Sequence, residues 1–339
     1  MKLAELGEFG FIERIRAAAA VGNGVVHGIG DDCAVLELPP GQHLLTTKDL
    51  LIEGVHFQRG WTDSRRLGRK SVSVNVSDIA AMGGRPRHLY LGLGVPADFT
   101  VEELQLFMDG FLEAVTEYGA CLVGGDTCRS PGPLLISVTA EGSVAAGREL
   151  LRGGARVGES IYVSGTLGDS ALALQLLTAG TPLDPHLEAR HHNPTARVAL
   201  GQALAEARLA SAMIDISDGL SADLGHILKA SGTGALLEEP RLPLSEPFRA
   251  ALHNDPRLMQ LALSGGEDYE LLFTAPPDRD AALQDLAGSL QLPLTRIGVI
   301  TAPDAGLRLR NAAGEVRQAD CVGFNHFARV SAPKNDATC

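Results

Sequence analysis

The chain has 339 residues, with 29 Lys and Arg against 41 Asp and Glu, a net charge of −12. That balance, with no Lys/Arg run, argues against a nucleic-acid surface. A hydrophobic fraction of 45% is ample for packed cores, and the length favours two domains.

Five scattered cysteines, Cys33, Cys121, Cys128, Cys321 and Cys339, include no C-x-x-C pair, so reduced thiols in a cytoplasmic protein are expected. Charged residues interrupt every apolar run near the N-terminus, and no run approaches the ~18 residues of a membrane helix. Neither a signal peptide nor an anchor is expected.

Residues 3–20 read as a short helix, with Phe9, Ile12 and Ile15 at helical spacing. A glycine-rich turn then leads to Asp31-Asp32 and a strand at 33–38. Residues 44–47 are a further short strand candidate, with Asp49 just past its end. Residues 65–82 are predicted helical, carrying Asn75 and Asp78 one turn apart and stopping at Gly83-Gly84. After a strand at 88–95, the capping box Thr100-Val101-Glu102-Glu103 opens a helix that Gly119 ends. Residues 120–123 have a buried-strand pattern that delivers Gly124-Gly125-Asp126 at its carboxyl end, and 134–140 is another strand.

The Gly-, Ala- and Arg-rich segment 142–158 marks a domain boundary, giving expected domains 1–147 and 148–332 and a disordered tail at 333–339. Beyond it come a strand at 160–164, a helix at 169–179, a proline-punctuated loop, a helix at 195–208, a strand at 212–216 and a helix at 219–230. Strands at 270–274 and 296–300 flank a helix at 279–290. Strands alternating with helices imply an α/β fold class of stacked layers. Residues 74–79 faintly echo residues 214–219, though six residues are too few to establish a repeat.

The chemistry concentrates on Ser211 to Leu220, an apolar run that ends in Asp215 and Asp218 and passes into a helix. Related acidic turns recur at Gly30-Asp31-Asp32, Thr47-Lys48-Asp49, Asn75 to Asp78 and Gly124-Gly125-Asp126. Each has a bland counterpart: Asp218 as a helix cap, Asp31-Asp32 as an ordinary turn, His56 as a structural histidine. Clustered carboxylates repel one another, so their joint occurrence makes sense if hard cations and a polyanionic ligand neutralise them. A nucleoside triphosphate is the obvious candidate. No G-x-x-x-x-G-K-[ST] occurs, and no G-x-G-x-x-G joins a strand to a helix. The phosphates must then be held through metal bridges, glycine-turn amides and arginines such as Arg152 or Arg148.

Read together, Gly28-Ile-Gly-Asp-Asp-Cys33, Glu53-Gly-Val-His-Phe57, Val74-Asn-Val-Ser-Asp-Ile-Ala-Ala-Met-Gly83, Gly124-Gly-Asp-Thr127, Asp215 to Gly225 and Ser264 to Leu272 resemble the thiamine-monophosphate kinase family over nearly the whole chain. The resemblance implies an aminoimidazole ribonucleotide synthetase-like architecture of two α/β domains, with the N-terminal sheet pairing across a homodimer. It implies phosphorylation of thiamine monophosphate by ATP, with several Mg²⁺ ions. Carried over by motif, Asp32, Thr47, Asp49, Asp78, Asp126, Asp215 and Asp218 are metal-site residues. Gly125, Asp126, Arg152, Ser217 and Tyr118 contact ATP, and His56, Glu267 and Phe324 face the thiamine phosphate.

Two departures stand out. Lys48 replaces a hydroxyl residue, so its ammonium is free to contact phosphate, and Phe324 replaces a Tyr or Trp. A phosphate monoester with a second pKa near ~6 is largely dianionic at neutral pH, so no general base is expected and His56 is assigned to binding. The rival readings are a synthetase of the same superfamily and a catalytically silent ATP or metal binder.

Overall fold

The computed structural model describes residues 8–19, 22, 24–29, 34–319 and 323. In chain order the first half runs α1 (Glu8–Ala18), β1 (Val25–His27), β2 (Val35–Leu36), β3 (Gln42–Ile52), α2 (Ser64–Ala81), β4 (Arg85–Val95), α3 (Val101–Glu117), β5 (Cys121–Arg129) and β6 (Leu135–Ala145). The second half runs β7 (Ser160–Ser164), α4 (Asp169–Thr178), α5 (Pro185–His192), α6 (Val198–Glu206), β8 (Ala212–Asp215), α7 (Leu220–Ser231), β9 (Gly234–Glu238), α8 (Glu246–Asn254), α9 (Met259–Ser264), β10 (Leu271–Ala275), α10 (Asp280–Leu290), β11 (Leu294–Thr301), β12 (Leu307–Arg310) and β13 (Val316–Gln318).

Two large sheets result, ordered β3-β6-β4-β5 and β13-β12-β9-β11-β7-β10-β8. The α/β layering is present, and within it the neighbours are antiparallel except for β4 with β5 and β9 with β12. One core fills the space between the four-stranded sheet and α2 and α3; two more cover the faces of the seven-stranded sheet. Among the described residues, no helix is long and apolar enough to cross a membrane.

Helix α2 joins the two halves. Asp63 caps its first turn by accepting the Arg66 amide, and most of its length is buried. It packs on α3, on the inner face of the four-stranded sheet, and on α6 and β8 of the second half. Two glycines make the α2–α3 crossing tight. A Cβ on Gly68 would lie 2.1 Å from the Phe107 carbonyl oxygen, and one on Gly110 would lie 1.9 Å from that of Arg65. On the other flank, a Cβ on Gly201 would lie 2.1 Å from the Ala80 carbonyl oxygen.

Several boundaries differ from the sequence expectation. β3 continues to Ile52, so Asp49 lies within a strand and not past its end, because all eleven residues pair with β6. Gly124-Gly125-Asp126 likewise lies inside β5, where Gly125 is needed: a Cβ there would meet the Leu91 carbonyl oxygen at 2.1 Å. The proline-punctuated loop contains helix α5, started by Asp184, whose side chain caps the His186 amide, with Pro185 in the first turn. The echo between residues 74–79 and 214–219 is not structural, since the first is helix and the second a strand end and loop. The expected tail at 333–339 lies outside the described residues.

Gly68→Ala and Gly110→Ala each force α2 and α3 apart, and overpacking of this kind typically costs about 1–3 kcal/mol. Denaturant unfolding of either variant is expected to show that loss; unchanged stability would show that the crossing can relax.

Candidate active site

Three elements bring carboxylates together, Asp215 buried and Asp49 and Asp78 half-buried. β8 ends on Asp215, which is 4% exposed and accepts the Ser77 hydroxyl of α2 at 2.6 Å. The next residue of α2, Asp78, accepts the Thr47 hydroxyl of β3 at 2.5 Å. Asp49, two residues along β3 and therefore on the same face, completes the set. Its backbone N–H, on the edge strand, is satisfied by Asn75 Oδ1 of α2 at 3.1 Å.

The electrostatics show that the three sense one another. Burial, then repulsion from Asp78, raises Asp49 to about 6. Burial raises Asp78 despite the Thr47 hydrogen bond and the charge of Arg152. Burial and the charge of Asp78 push Asp215 up to about 8 against the Ser77 hydrogen bond, with Asp223 and Asp49 adding to the rise. The Tyr269 phenol is pushed well above its ordinary range by burial and then by Glu267, Asp49, Asp215 and Asp78, which places it between the acidic set and Glu267. Among the described residues, no three His, Cys, Asp or Glu side chains are gathered round a common point in a way that could hold a metal ion.

Two loops frame the cluster. After β8, the amides of Ser217, Asp218 and Gly219 converge on Asp223 Oδ2 at 3.1, 3.1 and 3.0 Å. Burial nonetheless raises Asp223 to about 7. The segment before β10 is stitched to this loop: the Glu267 amide donates to the Ser217 carbonyl and the Tyr269 amide to that of Ile216, each at 2.8 Å. Glu267 and Tyr269 have φ of +66° and +50°. Such backbone conformations cost of order 1–3 kcal/mol and persist only where the surroundings over-determine them.

The surroundings do so here. Beneath the loop, Glu270 is fully buried, forked by the Arg197 guanidinium and held by Arg190 at 3.0 Å and the Ser164 hydroxyl at 2.5 Å. Arg190 also donates to the Asp268 carbonyl at 2.9 Å. The Asp268 side chain accepts the Gly168 amide at 3.0 Å; burial pushes it up to about 8, against Arg190 and that amide and aided by Asp169 and Glu270.

The structure thus brings together Thr47, Asp49, Asp78 and Asp215, with half-buried Asp218 and exposed Ser217 on the adjoining loop. Exposed Arg152 is close enough for its charge to act on Asp78. His56 sits on the turn after β3, its Nδ1 accepting the Ile52 amide at 3.0 Å. Asp32 and Phe324 lie outside the described residues, although Gly323 is packed so closely on Asp218 that a Cβ would lie 2.6 Å from its carbonyl oxygen.

Four expected residues are placed elsewhere. Lys48 does not turn toward the acidic set: it alternates onto the outer face of the sheet and donates to Ser137 and Thr139 at 2.7 and 3.3 Å. Asp126 and Gly125 line a groove with Lys48, Tyr90 and Ser137 on that outer side. The Tyr118 hydroxyl is engaged at 3.0 Å by both Ser73 and the Ala196 amide, bridging the two halves.

This arrangement has close relatives. The profile of the AIR synthase related protein N-terminal domain matches residues 30–144, and that of the C-terminal domain matches residues 156–309. The thiamine-monophosphate kinase of Escherichia coli K12 is 42% identical over 332 residues, covering 95% of this chain and 98% of its own. The chain belongs to the thiamine-monophosphate kinase family. A crystal structure of the Stenotrophomonas maltophilia member is 42% identical with a TM-score of 0.82, covering 91% of this chain and 97% of that one. A structure of AaThiL complexed with AMPPCP and TMP is 35% identical with a TM-score of 0.76, covering 96% and 99%.

Sequence reasoning missed Lys70, Asp223, Tyr269, Arg190 and Arg197 as parts of this member of the family. Asp223 and Tyr269 stood inside recognised motifs; Asp223 also falls in the first turn of a helix, where a carboxylate meets free amides.

The raised Asp268 makes a testable statement. An unfolded aspartate titrates near ~3.9, so the folded protein binds more protons than the unfolded chain between about pH 4 and 8. This group therefore works increasingly against folding as pH rises through that window. Asp268→Asn is expected to raise the melting temperature more at pH 8 than at pH 5; an unaltered pH profile would show that Asp268 is ionised in the fold.

Proposed function

We propose that this protein transfers the γ-phosphoryl group of ATP to thiamine monophosphate, giving thiamine diphosphate and ADP. The observation that carries the reading is the relative of near-complete coverage that holds AMPPCP, an ATP analogue, together with TMP. The acidic cluster agrees with it. Buried and half-buried carboxylates that repel one another fit hard cations: the donors are all oxygen, from Asp49, Asp78, Asp215 and the Thr47 hydroxyl. These residues would hold Mg²⁺, with Asp218 on the adjoining loop; Asp32 joins the set by its motif. Bound there, Mg²⁺ supplies charge neutralisation for the phosphates of donor and acceptor.

The protein's own part is positioning. Asp223 fixes the loop amides that present Ser217 and Asp218, and the loop stitched to them presents Glu267. His56, Glu267 and Phe324 receive the thiamine phosphate, while Arg152 and Ser217 receive ATP. His56 serves binding, because the acceptor phosphate needs no base at neutral pH. We take residues 1–147 as the nucleotide, metal and dimerisation domain and 148–332 as the second domain, in a cytoplasmic enzyme.

The homodimer forms on the outer face of the four-stranded sheet. Leu44 and Leu50 are 51% and 48% exposed there, beside the groove lined by Lys48, Tyr90, Gly125 and Asp126. Apposed sheets would bring Gly125 and Asp126 to the interface, where they complete the ATP site.

³¹P NMR of the protein with ATP and Mg²⁺ is expected to show thiamine diphosphate and ADP from thiamine monophosphate but not from thiamine, and nothing after chelation of the metal. ATP left intact with folded protein would overturn the reading. In Asp215→Asn the amide oxygen still accepts the Ser77 hydroxyl, so the fold should hold while turnover falls by about 10²–10³-fold or more. Near-normal turnover in this variant would remove Asp215 from the metal set.

A further inference from the structure

Lys70 occupies the middle of α2, and its side chain is 4% exposed. An ammonium taken out of water is costly unless an anion meets it. The anion is Glu267, 197 residues away on the positive-φ loop, with Nζ 3.1 Å from Oε2.

The other groups around Lys70 are arranged to leave that pair alone. His191 and His192, both buried, line the same small cavity, along with Phe57, Trp61 and Leu67. Burial and the neighbouring Lys70 charge depress both imidazoles, His191 to about 2 and His192 to about 4, so both are neutral. His191 Nδ1 lies 3.6 Å from Glu267 Oε2 and 2.9 Å from the Ser170 hydroxyl.

Both inner contacts therefore fall on one oxygen of Glu267. Its Oε1 has no partner among the described residues, and the side chain is 27% exposed. Phe57, which lines the cavity with Lys70, adjoins His56 on the turn after β3, so the cavity borders the turn assigned to the acceptor.

We propose that Lys70 is a positioning residue for the acceptor: it fixes Glu267 through Oε2 so that Oε1 faces outward to receive a hydrogen-bond donor, of the kind the acceptor's aminopyrimidine carries. This rests on the reading of Glu267 as an acceptor contact in a thiamine-phosphate kinase. Lys70 thereby ties acceptor recognition in the second half to the helix that carries Asp78 in the first.

The test compares steady-state kinetics of Lys70→Met, Lys70→Arg, Glu267→Gln and the Lys70→Met/Glu267→Gln double variant. Hydrogen bonds to charged groups support an expected rise of about 10-fold or more in KM for thiamine monophosphate in Lys70→Met, with kcat and the KM for ATP within about 3-fold. Lys70→Arg should recover most of the loss, and the double variant should be no worse than Glu267→Gln alone. The double variant buries neither charge, so it remains informative if Lys70→Met folds poorly. Effects that add in the double variant, or that strike ATP and acceptor alike, overturn the role of Lys70. A wild-type protein that does not turn over thiamine monophosphate overturns the functional reading itself, and this role with it, before any variant is compared.

Discussion

The structure is built around a repulsion. Asp49, Asp78 and Asp215 arrive from β3, α2 and β8, and each carries a titration raised by burial, with neighbouring aspartate charge adding to it at Asp49 and Asp215. Left to themselves, such groups would move apart or protonate. The fold prevents the first by giving two of them short hydroxyl donors, Thr47 to Asp78 and Ser77 to Asp215. Those hydroxyls offset only part of the cost, so the cluster is poised to gain from a cation.

The same logic extends outward. Asp223 gathers three amides, and the Asp268 and Glu270 carboxylates anchor the backbone on which Glu267 and Tyr269 take positive φ. Buried polar groups of this sort contribute to specificity of conformation only when their hydrogen bonds are met. Most are met here by elements distant in sequence, such as Arg197 forking Glu270 across 73 residues. Loop geometry at the site is thus set by the second domain's interior and not by the loops themselves.

Legibility in the sequence followed the range of the forces involved. The apolar run that breaks at Asp215, the capping box at Thr100 and the strand 160–164 are local patterns, and they read correctly. Lys48-Asp49 looked like the end of a strand because both residues have low β propensity; full pairing with β6 overrides that preference. β9, β12 and β13 were not read, being short runs whose partners decide them. The face taken by Asp126 depends on a single irregularity: the register between β4 and β5 slips at Leu89/Tyr90, so Leu122 pairs with Leu89 but Gly124 with Tyr90. One inserted residue flips every later side chain to the other face, and nothing in Gly124-Gly125-Asp126 announces it. Lys70 escaped notice because a lysine within an amphipathic helix ordinarily marks its solvated side.

That last miss shows what α2 is. Its inward face is not simply apolar: Lys70 meets Glu267, Ser73 meets Tyr118, Asn75 meets the Asp49 amide, and Ser77 meets Asp215. Each bond reaches a different element, two of them in the second half of the chain. The glycines at 68, 110 and 201 let the backbones of α3 and α6 approach α2 closely. A helix packed only by apolar contacts could slide or rotate at modest cost, because hydrophobic burial is non-directional. Four directional bonds within about two turns fix its rotation and its height together, and so fix where Asp78 stands relative to Asp215. The contacts that join the two halves are in this way the same contacts that set the geometry of the acidic site.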